Sequence, residues 1–322
     1  MQNHVIGIDV SKRTLDVCAI CDDRIRKKAF SNTESGFNKL IAWTSMLELV
    51  EPHFCLEATG YYSEPIADFL FNSGYKVSIV NPLPIKAFRT SKLIRQKTDR
   101  SDSEVIARFC LQNNPRLWKP KKQSSKELHE INSRLDSLKK ELNRLINLLE
   151  RRYTNEIVKR SINEEVDFIK NQIKTLEEKA HQLITQNKEL QRNFEIITSI
   201  KGVGSKLAFA ILADADFERF QNGRQYAAFV GVTPSHFESG TSVKGRSRIS
   251  RIGSSNLRKI LYMNALVVKK CNENFADFVN RLQEKGKSAK VIIVAIMRKL
   301  MNIIYGMLKN NQKFDKFLAF GG

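Results

Sequence analysis

The chain has few cysteines, which cross-link a fold, and few prolines, which interrupt helices and strands. Its 322 residues include only 5 cysteines, 7 prolines and 2 tryptophans. The cysteines, at positions 18, 21, 55, 110 and 271, form no even disulfide framework, and Cys18-x-x-Cys21 lacks the second pair that a zinc site needs. We therefore expect reduced thiols in a cytosol rather than a disulfide-bonded secreted domain.

Signals for export and for membrane insertion are also lacking. The N-terminus, MQNHVIGIDV, enters a strand pattern directly, without the basic and apolar regions of a signal peptide. The longest apolar run near the end covers residues 291–297, far fewer than the ~20 residues that span a bilayer. These features predict no secretion and no membrane, and they assign the run to a core.

Acidic residues are scarce relative to basic ones. The chain has 54 Lys and Arg against 34 Asp and Glu, a formal charge of +20. Residues 241–322 alone hold 17 basic and 4 acidic residues. Such an excess favours a polyanionic partner, so we expect nucleic acid bound mainly towards the C-terminus. The length and a hydrophobic content of 42% allow at least two domains with real cores.

The first part of the chain predicts a mixed α/β sheet. Residues 5–9, 15–20 and 24–30 alternate as a three-stranded meander. Buried strands follow at 53–57 and 76–80, with helical patterns at 36–49 and 63–72. This order indicates strands and helices packed in one sheet domain.

Four carboxylates are expected to converge in this domain. Asp9 and Glu57 stand at the C-terminal ends of apolar strands, where ligand sites form in open α/β sheets. Asp99 and Asp102 share one face at the start of a helical pattern. Carboxylate oxygens suit Mg²⁺ or Mn²⁺, and two such ions can clamp a phosphoryl transfer. Singly, each residue fits a turn, a strand end or a solvated first helical turn equally well.

Two blocks of apolar residues spaced by three and four, at 128–149 and 162–183, predict coiled-coil helices. The register falters at 151–155, which admits either a helical hairpin or a long kinked helix, and we favour the hairpin. Dimerisation through this seam is favoured over a hairpin without a partner, because two helices alone rarely bury enough surface.

The next segment predicts a helix-hairpin-helix over residues 194–213. Its turn is Lys201-Gly202-Val203-Gly204, whose glycines permit a tight bend with backbone N–H groups open to a phosphate. The alternative is a plain interhelical turn.

A segment rich in turn-forming residues follows, from Gly231 to Thr241. Its hydroxyl candidates are Ser235, Ser239, Thr241 and Ser242, and the residue types do not choose among them. His236 is left without a role. Basic residues that could neutralise phosphates are Lys244, Arg246, Arg248, Arg251 and Arg258. The remaining chain predicts helices at 256–270, 275–285 and 288–309.

Six short motifs together resemble the insertion-sequence 110 family, the DEDD transposases, whose relatives include pilin-gene DNA invertases. They occur in family order over nearly the whole chain: Gly7-Ile8-Asp9-Val10-Ser11-Lys12, Glu57-Ala58-Thr59-Gly60-Tyr61, Lys97-Thr98-Asp99-x-x-Asp102, Gly202-Val203-Gly204, Gly231-Val232-x-Pro234 with Ser239-Gly240, and Gly245-Arg246 leading to Gly253-x-x-x-Leu257-Arg258. Ser103 and Ser205 depart from the family's frequent Ala and Pro, away from the expected chemistry.

The resemblance implies three domains. They are an RNase-H-like domain similar to Holliday-junction resolvases (1–120), a coiled coil (121–192) and a mostly helical transposase domain (193–322). It implies Asp9, Glu57, Asp99 and Asp102 as the metal-binding set and Ser239 as a nucleophile that joins DNA covalently. It further implies a structured noncoding bridge RNA, a dimer or tetramer with a site shared between protomers, and action in a bacterial or archaeal cytoplasm near the nucleoid.

Two other functions remain open. The carboxylates fit equally well a structure-selective nuclease that uses metal-activated water, in which Ser239 is only a turn residue. The basic domain and coiled coil also fit an architectural nucleic-acid-binding protein without enzyme activity.

Overall fold

The computed structural model divides the chain into two compact units, residues 1–120 and 121–322, here called the sheet unit and the helical unit. It describes residues 4–21, 24–92, 99–151, 153, 155–214, 217–235, 238–239, 243–244, 248–249 and 252–317. At positions 99, 100, 235, 238, 239, 243, 244 and 248 it describes the backbone alone.

The sheet unit contains a five-stranded mixed sheet in the order β3-β2-β1-β4-β5. The strands are β1 (Val5–Val10), β2 (Thr14–Cys21), β3 (Arg24–Ser31), β4 (His53–Glu57) and β5 (Lys76–Val80). The first three form an antiparallel meander, whereas β4 pairs parallel to β1 and β5 parallel to β4. The helices are α1 (Glu34–Met46), α2 (Glu64–Asn72), α3 (Pro82–Ser91) and α4 (Asp99–Asn113). The predicted mixed sheet is confirmed.

Alternation along the strands separates two faces of this sheet. Ile6, Ile8 and Val10 of β1 pack with residues of α1 and α2. Val5 and Cys55 pack on the opposite face, in a cluster with residues 105–110 of α4. One face is therefore covered by α1 and α2 and the other by α4.

The helix α3 was not predicted. Asn81 caps it by accepting a hydrogen bond from the Leu83 N–H at 2.9 Å, and Pro82 occupies its first position. In the sequence, Asn81-Pro82 fits the end of the strand at 76–80, but Asn followed by Pro is also a common helix start.

The helical unit holds eight helices among its described residues. They are α5 (Gln123–Leu149), α6 (Glu156–Gln186), α7 (Lys188–Thr198), α8 (Ser205–Asp214), α9 (Gly223–Val230), α10 (Ser255–Cys271), α11 (Ala276–Glu284) and α12 (Ala289–Asn310). Four two-residue strands lie between α9 and α10: β6 (Pro234–Ser235), β7 (Glu238–Ser239), β8 (Val243–Lys244) and β9 (Arg248–Ile249).

The helices α5 and α6 form an antiparallel hairpin. Leu128, near the start of α5, packs with Ile184 near the end of α6. Leu145, near the end of α5, packs with Val166. The two apolar blocks are thus two antiparallel helices rather than one long kinked helix, as favoured from the sequence.

The last long helix, α12, is long and apolar enough to cross a membrane by length and composition alone. However, 61% of its most apolar window is buried. Leu300, Met301 and Ile304 lie in the main core of the helical unit, together with residues of α8, α9 and α10. Burial of this kind is that of a core helix.

Candidate active site

Asp9 and Glu57 lie side by side at one end of the sheet. The parallel register pairs Ile8 with Leu56, so the next residues of β1 and β4 are level with each other. Both are half-buried. Asp9 shares its face with Val5 and Gly7, and Glu57 shares its face with Cys55, which is the face covered by α4.

Gly7 sets how closely α4 approaches this face. A Cβ atom at Gly7 would lie 2.3 Å from both the Ala107 backbone nitrogen and the Ser103 carbonyl oxygen. No side chain fits there, so the backbone of α4 rests directly on β1. The glycine two residues before Asp9 therefore brings the helix into the site.

The direction of α4 places its first turn at the carboxylate end of the sheet. The Cys110 Sγ lies 3.5 Å from Nδ1 of His53, at the start of β4, whereas Ser103 is level with Gly7. Residues before 103 consequently extend towards Asp9 and Glu57. Asp102 belongs to this turn, and Asp99, described by its backbone alone, begins it.

Asp102 forms an ion pair with Arg89. Its Oδ1 accepts hydrogen bonds from the Arg89 guanidinium of α3 and, at 3.1 Å, from the Ser101 hydroxyl. The carboxylate is 18% exposed. Both of these contacts fall on Oδ1. Sequence reasoning missed Arg89, which lies on the helix that was not predicted.

Asp16 is a further carboxylate that sequence reasoning missed. It pairs directly with Asp9 across β1 and β2 and, like Cys18, lies on the α4 face. The sign of it in the sequence is an acidic residue between the apolar residues of β2, and in the structure its side chain is half-buried. Only the register shows that it faces the site.

The residue types at this end of the sheet fit a hard divalent ion, since every candidate ligand is a carboxylate. Among the residues that the structure describes, no three acidic, histidine or cysteine side chains form a ready-made metal cluster. The Asp99 side chain is outside that set.

Buried thiols lie beneath the carboxylates on the α4 face. A hydrogen bond with Cys55, aided by His53, lowers the pKa of the Cys110 thiol despite its burial, and the same bond raises the pKa of Cys55. Burial raises the pKa of Cys18 to about 11. All five cysteines are free thiols.

In the helical unit, the segment that contains Ser239 is closed at a glycine neck. A Cβ atom at Gly231 would lie 2.2 Å from the Ile252 carbonyl oxygen, and one at Gly253 would lie 2.5 Å from the Phe229 carbonyl oxygen. Both glycines have positive φ, at 82° and 108°. The two ends of the segment therefore cross backbone against backbone, which only glycine permits.

Within this segment, short strand pairs fix the backbone. Ser235 pairs with Arg248, and Ser239 pairs with Val243. Arg246 and Arg251 lie outside the described residues, as does His236. Arg258 donates from Nη1 to the Ile252 carbonyl at 3.2 Å, so its guanidinium braces the neck.

The hairpin between α7 and α8 is tied to α10 at both ends. The Asn272 side chain donates to the Lys201 carbonyl at 2.8 Å, and the Gly204 N–H donates to Asn264 at 3.1 Å. A Cβ atom at Gly202 would lie 3.0 Å from Val268. The Gly204 N–H is thus already used in a hydrogen bond to Asn264 of α10, whereas the Lys201 side chain is exposed.

Carboxylates gathered at one end of a mixed sheet, in a chain with a basic helical unit, are features of enzymes that act on nucleic acid. A transposase family model of the IS110 type matches residues 6–152, and the model of the transposase IS116/IS110/IS902 family matches residues 194–280. The chain belongs to the IS110 transposase family, and it is a DNA transposase or recombinase.

Two relatives match over almost the whole length of the chain, and others match over part of it. The pilin gene-inverting proteins of Moraxella bovis and Moraxella lacunata are each 34% identical over 328 residues, covering 98% of this chain and 99% of theirs. A probable family 20 transposase of Pseudomonas aeruginosa is 28% identical over 153 residues, 46% of this chain and 44% of its own. T. thermophilus RuvC, solved with a Holliday junction substrate, covers 36% of this chain and 99% of its own, at 12% identity and a TM-score of 0.26.

Proposed function

We propose that the protein cuts and rejoins DNA strands during insertion-sequence transposition, with Ser239 as the nucleophile and a carboxylate-bound Mg²⁺ or Mn²⁺. The observation that carries the metal half of this proposal is the placement of Asp9, Glu57 and the first turn of α4 at one end of one sheet face. Asp9, Glu57, Asp99 and Asp102 would hold the ion.

The bound ion would supply a Lewis acid that polarises the scissile phosphate. The Ser239 hydroxyl loses its proton and forms an ester bond to phosphorus, while the deoxyribose oxygen leaves and takes up a proton. A second deoxyribose hydroxyl then reverses the step on the new strand. Because the ester conserves the phosphodiester bond energy, rejoining needs no ATP.

We also infer the fold class of the sheet unit, the assembly of the protein and its RNA partner. The sheet unit is RNase-H-like, supported by a meander followed by two parallel strands with helices on both faces. The α5–α6 hairpin is a coiled coil that assembles a dimer or tetramer. The site is shared across protomers, a noncoding bridge RNA pairs with donor and target DNA, and the enzyme acts in the cytoplasm.

The experiment is to incubate the protein with Mg²⁺, element-end DNA and RNA transcribed from the flanking noncoding region, then to resolve protein–DNA adducts on a denaturing gel. Ser239→Ala and Asp9→Asn should each abolish the adduct. Ser235→Ala is the matched control, since it removes a hydroxyl from the same segment and should keep the adduct.

Cleavage without an adduct, unchanged in Ser239→Ala, would overturn the serine assignment and establish the metal-dependent nuclease. Nucleic-acid binding without strand cleavage, and unaffected by metal, would point to the architectural protein. An adduct lost in Ser235→Ala but kept in Ser239→Ala would move the nucleophile to Ser235.

A further inference from the structure

The helical unit contains a cavity of about 510 Å³ that lies outside the serine segment. It lies between the α5–α6 hairpin on one side and the starts of α8 and α10 on the other. Cavities of this size are typical of small-ligand sites. None of the residues named above for strand transfer lines it.

One wall of the cavity carries a lysine, Lys206, that faces other lysines. Partial burial of the ammonium group, followed by the nearby Lys139 and Lys259, lowers the pKa of Lys206, although the side chain as a whole remains exposed. Lys139 is paired with Glu177 at 2.6 Å. Among the described residues, Lys206 has no ion-pair partner. An anion at this wall would relieve the repulsion among the three lysines.

Glu177 and Asp136 offset the charge at Lys206 only in part, and the net effect still lowers the pKa of its ammonium group. Glu177 is bound to Lys139, and Asp136 is bound to Lys140 at 2.7 Å. Of the three lining carboxylates, Glu178 is the one without an ion pair in the described part of the chain. Two lining lysines, Lys174 and Lys206, likewise have no ion pair among the described residues.

Helix geometry adds to the anion preference. Ser205 and Lys206 are the first two residues of α8, and Asn256 is the second residue of α10. All three line the cavity. Two helix starts, each with a partial positive charge, therefore face the same space.

A second wall is flat and aromatic. Phe209 lines the cavity and stacks on Phe194, with ring centroids 5.4 Å apart and an angle of 28° between the rings. His181, which also lines the cavity, meets Phe209 edge-on at 5.9 Å. These contacts hold the phenyl ring in place, and such rings stack on nucleobases.

Amide groups surround the aromatic wall. Asn132, Gln182 and Asn256 line the cavity, and none of their side-chain amides hydrogen-bonds another described residue. Each offers a donor and an acceptor at its end. Amides in this position suit the edge of a base, which presents both kinds of group.

We propose that this cavity binds one unpaired nucleotide of a nucleic-acid strand, with the phosphate at Lys206 and the start of α8 and the base against Phe209. This inference rests on the protein binding nucleic acid, but not on the serine chemistry. The strand that supplies the nucleotide is RNA or DNA, and the two share the chemistry that the cavity recognises.

The test is photo-crosslinking of the full-length protein to two single-stranded oligonucleotides, an RNA with one 4-thiouridine and a DNA with one 4-thiothymidine. Digestion and mass spectrometry then locate the crosslinked peptide. We expect crosslinks on the α8 peptide that contains Phe209, from the RNA, the DNA or both, which identifies the source of the strand.

Lys206→Gln should lower the yield of this crosslink about tenfold, and Phe209→Leu should lower it while keeping an apolar side chain against Phe194. Lys179→Gln is the matched control, because Lys179 is exposed on α6 outside the cavity and its loss changes the net charge equally. Thermal unfolding checks that each variant is folded.

Crosslinks confined to other peptides, or equal yields in Lys206→Gln and Lys179→Gln, would overturn the assignment. The readout is independent of adduct formation. A protein that crosslinks at α8 but forms no Ser239 adduct would therefore keep this cavity as a nucleotide site while removing the proposed strand-transfer mechanism.

Discussion

The two units position their candidate reactive groups by different means. In the sheet unit, Asp9 and Glu57 are fixed by strand register and Asp102 by a helix that touches β1 at Gly7. In the helical unit, Ser239 stands on a two-residue strand in a segment held at the Gly231–Gly253 neck. The metal side of the proposed chemistry thus depends on a core, and the nucleophile side depends on a backbone crossing.

The largest effect should come from removing either the Asp9 carboxylate or the Ser239 hydroxyl, and mixing the two variants tests whether these groups act across protomers. Asp9→Asn and Ser239→Ala should each lower adduct yield roughly 10³-fold or more, because each removes one half of the proposed site. If the halves meet across a two-fold dimer, a mixture of the two variants recovers roughly a quarter of the wild-type yield, through mixed dimers with one intact site.

The control for this experiment is each variant mixed with itself under the same conditions. No recovery in mixed dimers, with mixed assembly verified by differently tagged subunits, would mean that carboxylates and serine of the same protomer act together.

Gly7→Ala should damage the sheet unit and spare the helical unit. The added methyl group would collide with two backbone atoms of α4 at 2.3 Å, so we expect a loss of about 3 kcal/mol in unfolding free energy. Both tryptophans, Trp43 and Trp118, lie in the sheet unit, so their fluorescence during urea unfolding reports that unit.

The matched control is Gly306→Ala in α12, where an added Cβ meets no atom within 4 Å. It should leave the tryptophan transition unchanged and stabilise the helix slightly, by about 0.5–1 kcal/mol. Equal tryptophan transitions in wild type and Gly7→Ala would show that α4 can move away from β1 at little cost.

Gly253→Ala should have the opposite pattern, with lost chemistry and an intact sheet unit. Its φ of 108° and the 2.5 Å approach to the Phe229 carbonyl force the neck to open. A displacement of Ser239 by even ~1 Å should lower adduct yield about 10–100-fold.

Gly286→Ala is the matched control for backbone strain. Gly286 also has positive φ, at 63°, but an added Cβ meets no neighbouring atom. Its adduct yield should stay within about twofold of wild type. Equal losses in both variants would attribute the effect to general strain in the helical unit rather than to the neck.

The predictable part of the site is the part that local pattern encodes. Asp9 and Glu57 could be found because each ends an apolar strand, and Asp102 because it opens an apolar helix. Asp16 was missed because only strand register brings it opposite Asp9. Arg89 was missed because Asn81-Pro82 fits the end of a strand as well as the start of α3, so the helix that carries Arg89 was not predicted.

Long-range backbone contacts were also beyond local pattern. Taken one at a time, Gly231 and Gly253 look like ordinary turn residues. They are 22 positions apart in the sequence, and nothing in the intervening residues indicates that their backbones cross. The nucleotide cavity draws residues from four helices spread over residues 132–260. Which helix faces meet depends on the packing of the core, so a single periodic segment cannot predict the cavity.

The smallest effect concerns the ion pair that ties α4 to the sheet on the side away from β4. Lys27 of β3 lies 2.6 Å from Glu104, whose side chain is 26% exposed. Burial by itself raises the pKa of Glu104, but hydrogen bonds from Lys27 and Arg108 outweigh it and lower the pKa below its ordinary value of 4.5. The ionised form is therefore the one that stabilises the fold.

Glu104→Gln should cost about 0.5–1 kcal/mol at about pH 7, since both partners remain partly exposed to solvent. A carboxyl with a lowered folded pKa stabilises above its ordinary pKa and loses that contribution as the pH falls through the lowered value. The difference in unfolding free energy between wild type and Glu104→Gln, monitored by tryptophan fluorescence, should therefore be full at neutral pH and shrink below about pH 4.

Glu51→Gln, in the fully exposed pair with Lys76, is the matched control and should leave unfolding unchanged. A gap that stays constant with pH would mean that Glu104 acts through packing alone, so that the contact at Gly7 would hold α4 on the sheet without help from charge.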